Sequence, residues 1–161
     1  MIAESKLDTA TLAAAAKSSA ESVFSMMLAM EISPLDAFEI AEPKPYDGVI
    51  SLVTFSGEWI GAGMFCCHEQ LACQIGAAML GHHVESIDAD VLDGIGEMAN
   101  MIIGNLKEQL EAKTGPLALS IPTVVYGKNF CTRTAVRSPW TIQPFRVGEH
   151  TLEICSCVRA L

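Results

Sequence analysis

No apolar run in the chain approaches the roughly 18 residues that a membrane-crossing helix needs. The opening residues, Met1-Ile2-Ala3-Glu4-Ser5-Lys6, lack the charged-then-apolar pattern of a secretion signal. Both absences point to the cytoplasm and away from the membrane. Basic residues are also scarce: 10 Lys and Arg stand against 19 Asp and Glu, for a net charge of −9. That balance excludes nucleic acid as a partner, because phosphate contact demands a basic patch. It excludes an anionic membrane surface on the same ground. A phosphate-cradling Gly-rich loop and a nucleophile elbow are both missing. Charged residues amount to 18% and hydrophobic ones to 50%. Much of the chain is therefore buried or lies in a subunit interface. The 161 residues suit a single domain spanning 1–161, with enough apolar material to build a core without staples.

The six cysteines are Cys66, Cys67, Cys73, Cys131, Cys155 and Cys157. A disulfide framework does not suit a cytosolic chain of this size. Cys66, Cys67, His68 and the His82-His83 pair lie close in sequence, so a metal site has to be weighed. The paired-knuckle spacing of zinc sites is absent. Cys66 and Cys67 point to opposite faces of a strand, and Cys155 and Cys157 share a face. Buried free thiols and no metal are expected. His82-His83 follow a helix-ending Gly81 and read as exposed turn residues.

Periodicity predicts a first helix over 8–30, with Leu12, Ala15, Ala16, Val23, Met26, Met27 and Met30 on its apolar side and Ser33-Pro34 ending it. The methionines read as core packing in preference to an interaction surface. A strand over 35–41 follows, then a stiff connection, Glu42-Pro43-Lys44-Pro45. Residues 48–56 and 59–67 pair as a hairpin around Gly57-Glu58. Helices are expected over 68–80 and 91–113. Four more strands are expected over 117–126, 130–136, 141–147 and 151–158, punctuated by Gly127-Lys128-Asn129 and Gly148-Glu149-His150. The order is mixed α/β (α+β): a largely antiparallel sheet packed with helices.

The helix over 91–113 carries the chemistry. Either Asp88 or Asp90 can cap its start, and Gly115 and Pro116 stop it. At about 100° per residue, Asp93, Glu97, Asn100 and Gly104 share one narrow stripe. Leu92, Ile95, Ala99, Ile102, Ile103, Leu106 and Leu110 form the apolar side. A carboxylate and a carboxamide thus project together, and Gly104 leaves room for close approach. Gly94 and Gly96 cost about 1 kcal/mol each relative to alanine. They are tolerated either for a low-relief surface around Asp93 and Glu97 or for tight packing on a neighbouring element. Helix geometry alone leaves an ordinary solvated face as the alternative.

Asp93-Gly94-Ile95-Gly96-Glu97-Met98-Ala99-Asn100, continued by Met101-Ile102-Ile103-Gly104-Asn105-Leu106, resembles the active-site helix of the CheC/CheX/FliY phosphatases. Their pattern is an acidic residue or serine, three residues, Glu, two residues, Asn, and a proline further on. Pro122 follows Asn100 with 21 residues between. That gap is close to the family's, and a length change would fall in the turn around Thr114-Gly115. The preceding Asp47-Gly48-Val49-Ile50-Ser51-Leu52 and the following Leu119-Ser120-Ile121-Pro122-Thr123-Val124-Val125 are similar to the corresponding CheX segments. The 68–80 helix offers Glu69 but Ala72 where a second motif would need Asn. One complete motif favours the single-site CheX type.

The resemblance implies a CheX-like domain acting on the phosphorylated receiver of a CheY-like response regulator. Asn100 would position the attacking water, and Glu97 would pair with a regulator lysine; these are the implied catalytic residues. Asp93 and Gly104 would serve docking, and Pro122 would be structural, at a strand start or bulge. No cofactor is implied for this chain; Mg2+ belongs to the regulator. A homodimer is implied too, and the apolar C-terminal strand (Leu152, Ile154, Cys155, Cys157, Val158) is compatible with one. The alternative is a non-catalytic receiver-binding or flagellar/chemotaxis adaptor of the same fold; the intact Glu97 and Asn100 argue against it.

Overall fold

The computed structural model describes residues 7–161. Residues 1–6, read above for a secretion pattern, lie outside the described residues. The elements run α1 (Thr9–Val23), β1 (Ser33–Pro34), β2 (Phe38–Ile40), β3 (Tyr46–Gly57) and β4 (Trp59–Cys67). After them come α2 (Glu69–Leu80), α3 (Ala89–Thr114), β5 (Leu117–Leu119), β6 (Thr123–Phe130), β7 (Trp140–Val147) and β8 (His150–Ala160). All strand pairs are antiparallel, in one eight-stranded sheet ordered β1-β7-β8-β4-β3-β5. β2 also pairs with β7, and β6 with β3. The mixed α/β architecture with an antiparallel sheet is therefore the observed one.

Strand alternation decides which residues meet the helices. Val49, Val53, Phe65, Cys67, Leu152 and Ile154 face α1, α2 and α3 and form the main core. Ile50, Met64, Cys66, Ile142, Cys155 and Cys157 face the other way and build a smaller core with Trp140. Cys66 and Cys67 thus do part to opposite faces, and Cys155 and Cys157 do share one. β8 lies between β7 and β4, so its apolar residues serve the chain's own core and offer no outer surface for a second copy.

α3 is positioned by its ends and by its apolar side. The Asp88 Oδ1 accepts the Val91 N–H at 2.9 Å, a side-chain cap. At the other end Gly115 takes φ 75°, a conformation that suits glycine, and its N–H reaches the Glu111 carbonyl at 2.9 Å. The Glu111 carboxylate accepts the Leu117 N–H at 3.1 Å and pairs with Lys107 at 3.1 Å. Those contacts, the backbone N–H first, hold its carboxyl below the ordinary value. Ile95, Ile102, Ile103, Leu106 and Leu110 are buried against the sheet and α1. Each contributes about 2 kcal/mol of burial.

Several boundaries differ from the sequence expectation. The first helix does not reach Met30. A π-helical turn, Phe24–Leu28, follows α1, and Ala29 closes it at φ 49°. Ser33-Pro34 is a short strand on β7, not merely a helix stop. In the turn Met26 and Met27 are exposed, at 76% and 45%, so the reading of these two as core residues is corrected. The strand over 35–41 shrinks to Phe38–Ile40. The strand expected over 130–136 is absent: β6 runs through Gly127, Lys128 and Asn129 to Phe130, with Asn129 at φ 49° and a register shift opposite Tyr46–Gly48.

Residues 117–126 are two strands rather than one. Phe55 pairs with Leu119 and Leu52 with Thr123, so one extra residue has entered opposite β3. Pro122 has no N–H to give the ladder. Ser120 maintains the pairing instead: its Oγ accepts the Thr54 N–H at 2.9 Å, and its own N–H donates to the Thr54 carbonyl at 3.0 Å. Ile121 is thrown outward, 86% exposed.

Candidate functional site

Asp93, Glu97 and Asn100 stand exposed on the stripe of α3 that faces away from the core. Beside them α3 comes close to the bulge between β5 and β6. A methyl added at Gly96 would lie 3.3 Å from Val124 Cγ2 and 3.9 Å from Pro122 Cγ. One added at Gly94 would lie 3.2 Å from Met79 Sδ of α2. Both glycines are thus packing residues, and Gly96 also keeps the floor low between the polar stripe and the strand. The result is an open groove of about 660 Å³, lined by Ala89, Leu92, Asp93, Gly96, Glu97, Asn100, Pro122 and Val124.

The structure therefore brings together four of the residues singled out in the sequence: Asp93, Glu97, Asn100 and Pro122. It leaves Gly104 outside. Gly104 is half-buried one turn further along, where an added methyl would meet Leu119 Cδ1 at 3.9 Å. Val124 and Leu92 complete the groove without having been marked as site residues. Their signal was weak, since each read as an ordinary apolar position. The described residues contain two ion pairs, His83–Glu85 and Lys107–Glu111, so neither Asp93 nor Glu97 has a cationic partner among the described residues. The arrangement is an open groove with two exposed carboxylates and a carboxamide on its helix side and an apolar ledge opposite. It is shaped to enter another molecule's pocket more than to enclose a small one.

The thiols do not add a second centre. Among the described residues no group of three or more His, Cys, Asp or Glu stands close enough to hold a metal ion. His82 and His83 are exposed in the turn after α2, as expected. Cys66 and Cys155 approach to 3.9 Å between sulfurs, and that contact together with burial raises the Cys66 thiol above its ordinary value. Burial pushes Cys67 up to about 12 and Cys157 up to about 11. Thiolate is the reactive form. Native protein treated with an aromatic disulfide reagent at neutral pH should thus show one fast-reacting thiol, the exposed Cys131. Cys131→Ser should remove that phase, and unfolding should release all six thiols. Rapid reaction of several thiols in the folded state would contradict the burial described.

Fold and stripe together define an antiparallel α/β domain that presents a carboxylate–carboxamide helix face. The chain is similar to a CheC-like superfamily protein from Shewanella sp. PV-4, with 28% identity, 93% of this chain and 98% of that one covered, and a TM-score of 0.83. It is similar to the chemotaxis protein CheX from Vibrio vulnificus, at 24% identity, 92% and 99% coverage and a TM-score of 0.82. It shares its fold with a chain of the CheX–CheY–BeF3–Mg2+ complex from Borrelia burgdorferi, at 22% identity, 96% and 99% coverage and a TM-score of 0.79. No curated protein sequence matches it. The sequence model of the chemotaxis phosphatase CheX family matches residues 49–146, more than half of the chain, and the chain belongs to that family.

Proposed function

We propose that the chain accelerates hydrolysis of the aspartyl phosphate on a CheY-like response regulator, in the cytoplasm. The observation that carries this reading is the groove itself. Asp93, Glu97 and Asn100 project, exposed, from one stripe of α3 beside Pro122. The Borrelia relative, crystallised with CheY, BeF3 and Mg2+, supports a CheY-like receiver as partner. Family membership supports the chemotaxis setting.

Phosphoryl transfer asks for an in-line water, charge neutralisation and exclusion of loose solvent. In this reading Mg2+ would be held by the regulator, not by this chain, and would supply charge neutralisation at the phosphoryl group. α3 inserts over the regulator's phosphorylated aspartate. Asn100 holds the attacking water, a task a carboxamide suits because it both donates and accepts hydrogen bonds. It removes no proton at neutral pH. Glu97 pairs with the regulator's lysine and fixes the docking register. Asp93, one turn earlier, assists docking. Gly104, one turn beyond the groove, serves docking by leaving room for close approach. A homodimer belongs to the same reading, on a surface other than β8.

The test is the decay of a phosphorylated CheY-like receiver with and without sub-stoichiometric chain. Faster decay, with turnover, is the expected result. Saturable binding without acceleration, across several receivers, would replace this reading with the adaptor one.

A further inference from the structure

The sheet face turned away from the helices holds a recess of about 440 Å³. Its floor is apolar: Ile50, Met64 and Ile142, with the paired thiols of Cys66 and Cys155. One wall is Pro43-Lys44-Pro45, whose two prolines stiffen the chain. Another is Tyr46, fixed by stacking on His68 (centroids 5.3 Å apart, 12° between planes) and by an edge contact with Phe130. Size, an apolar floor with a few polar groups around it, and stiff walls match those of a small-molecule site.

Two carboxylates line this recess: Asp47, which accepts the Asn129 N–H, and Glu153. Glu153, on β8, shares the floor's face with Cys155 and is half-buried among the apolar residues. It belongs to neither of the two ion pairs among the described residues. Burial raises its carboxyl above the ordinary value, and His68 opposes that only in part. A carboxylate withdrawn from water without a cation is costly, and a bound cation offsets the cost. The rings of Tyr46 and Phe38 add apolar area to the lining.

We propose that this recess is a binding site for a small organic ammonium ion with an apolar body, its charge held by Glu153 and its body seated on the Ile50–Met64–Ile142 floor. The α3 groove is on the other side of the sheet, so an occupant here leaves it free.

The probe is 2-phenylethylammonium, titrated into the full chain carrying labelled Met and Ile methyl groups. Saturable shifts confined to the Met64, Ile40, Ile50 and Ile142 methyls, all of which line the recess, are expected. 2-Phenylethanol, the near-isosteric neutral molecule, should bind about tenfold more weakly or worse. Glu153→Gln should remove the preference for the cation while leaving the methyl spectrum that of a folded protein. Equal affinity for amine and alcohol would overturn the proposal, since the recess would then be merely apolar. So would cation binding undiminished in Glu153→Gln, or no saturable shift at all. Lys44 also borders the recess. If Lys44→Met took up the probe and the wild type did not, Glu153 would have its cation within the chain and the proposal would fall.

Discussion

An Asn100→Ala chain is expected to lose the acceleration of receiver dephosphorylation, by about 10²-fold or more, and to keep its docking. The side chain is exposed at the groove, so truncation opens no cavity in the core. Alanine is a better helix former than asparagine, so α3 survives the change. What disappears is the group that, in the proposed mechanism, holds the water in line with the breaking P–O bond. Phosphate release would be followed with the phosphorylated receiver, and binding with the receiver carrying a stable phosphoryl mimic. A variant that released phosphate at the wild-type rate would remove Asn100 from the mechanism. Asn100→Asp sharpens the comparison. It keeps the shape, replaces donor capacity with a negative charge beside phosphoryl oxygens, and should fail in catalysis as the alanine variant does.

Much of this site was legible because it is local. α3 was expected over 91–113 and runs over Ala89–Thr114, since its caps, its apolar period and its glycine stop all lie within its own sequence. Asp93, Glu97 and Asn100 share a stripe by helix geometry alone. Pro122 is different. Nothing in its neighbourhood says that it faces Gly96, and it entered the site through resemblance to a family. Leu117 to Tyr126 reads as one uninterrupted strand; its break depends on register against β3, where Ser120 stands in for the ladder that Pro122 cannot join. Phe130 to Val136 has the composition of a strand, yet beyond Phe130 it pairs with no strand among the described residues. Met26 and Met27 continue the apolar period of α1, but the π turn and the left-handed Ala29 rotate them into solvent. The recess around Glu153 was invisible for the same reason. Its lining comes from well-separated segments that only the sheet brings together.

Glu97→Ala should weaken docking and slow dephosphorylation together, in contrast to the split expected at Asn100. The chain carries a net charge of −9, which gives no general attraction for an acidic receiver. Recognition then rests on local pairs, and Glu97 is the free carboxylate beside Asn100 in the groove, one turn before it. Truncating one partner of a desolvated pair costs about 2–5 kcal/mol, or about 30-fold and upward in Kd. In the proposed pairing, much of that cost would be the regulator's lysine left buried without a counter-charge. Glu97→Gln keeps the size and loses the charge, so it should recover little. Asp93→Asn should do much less harm, since Asp93 lies a turn away from Glu97 and further still from Asn100. The decisive measurement is dephosphorylation rate against receiver concentration for wild type and Glu97→Ala. A raised half-saturation with a reduced plateau places the carboxylate in a contact that persists through the transition state. A lowered plateau at unchanged half-saturation would take Glu97 out of docking and put its effect wholly into the chemical step.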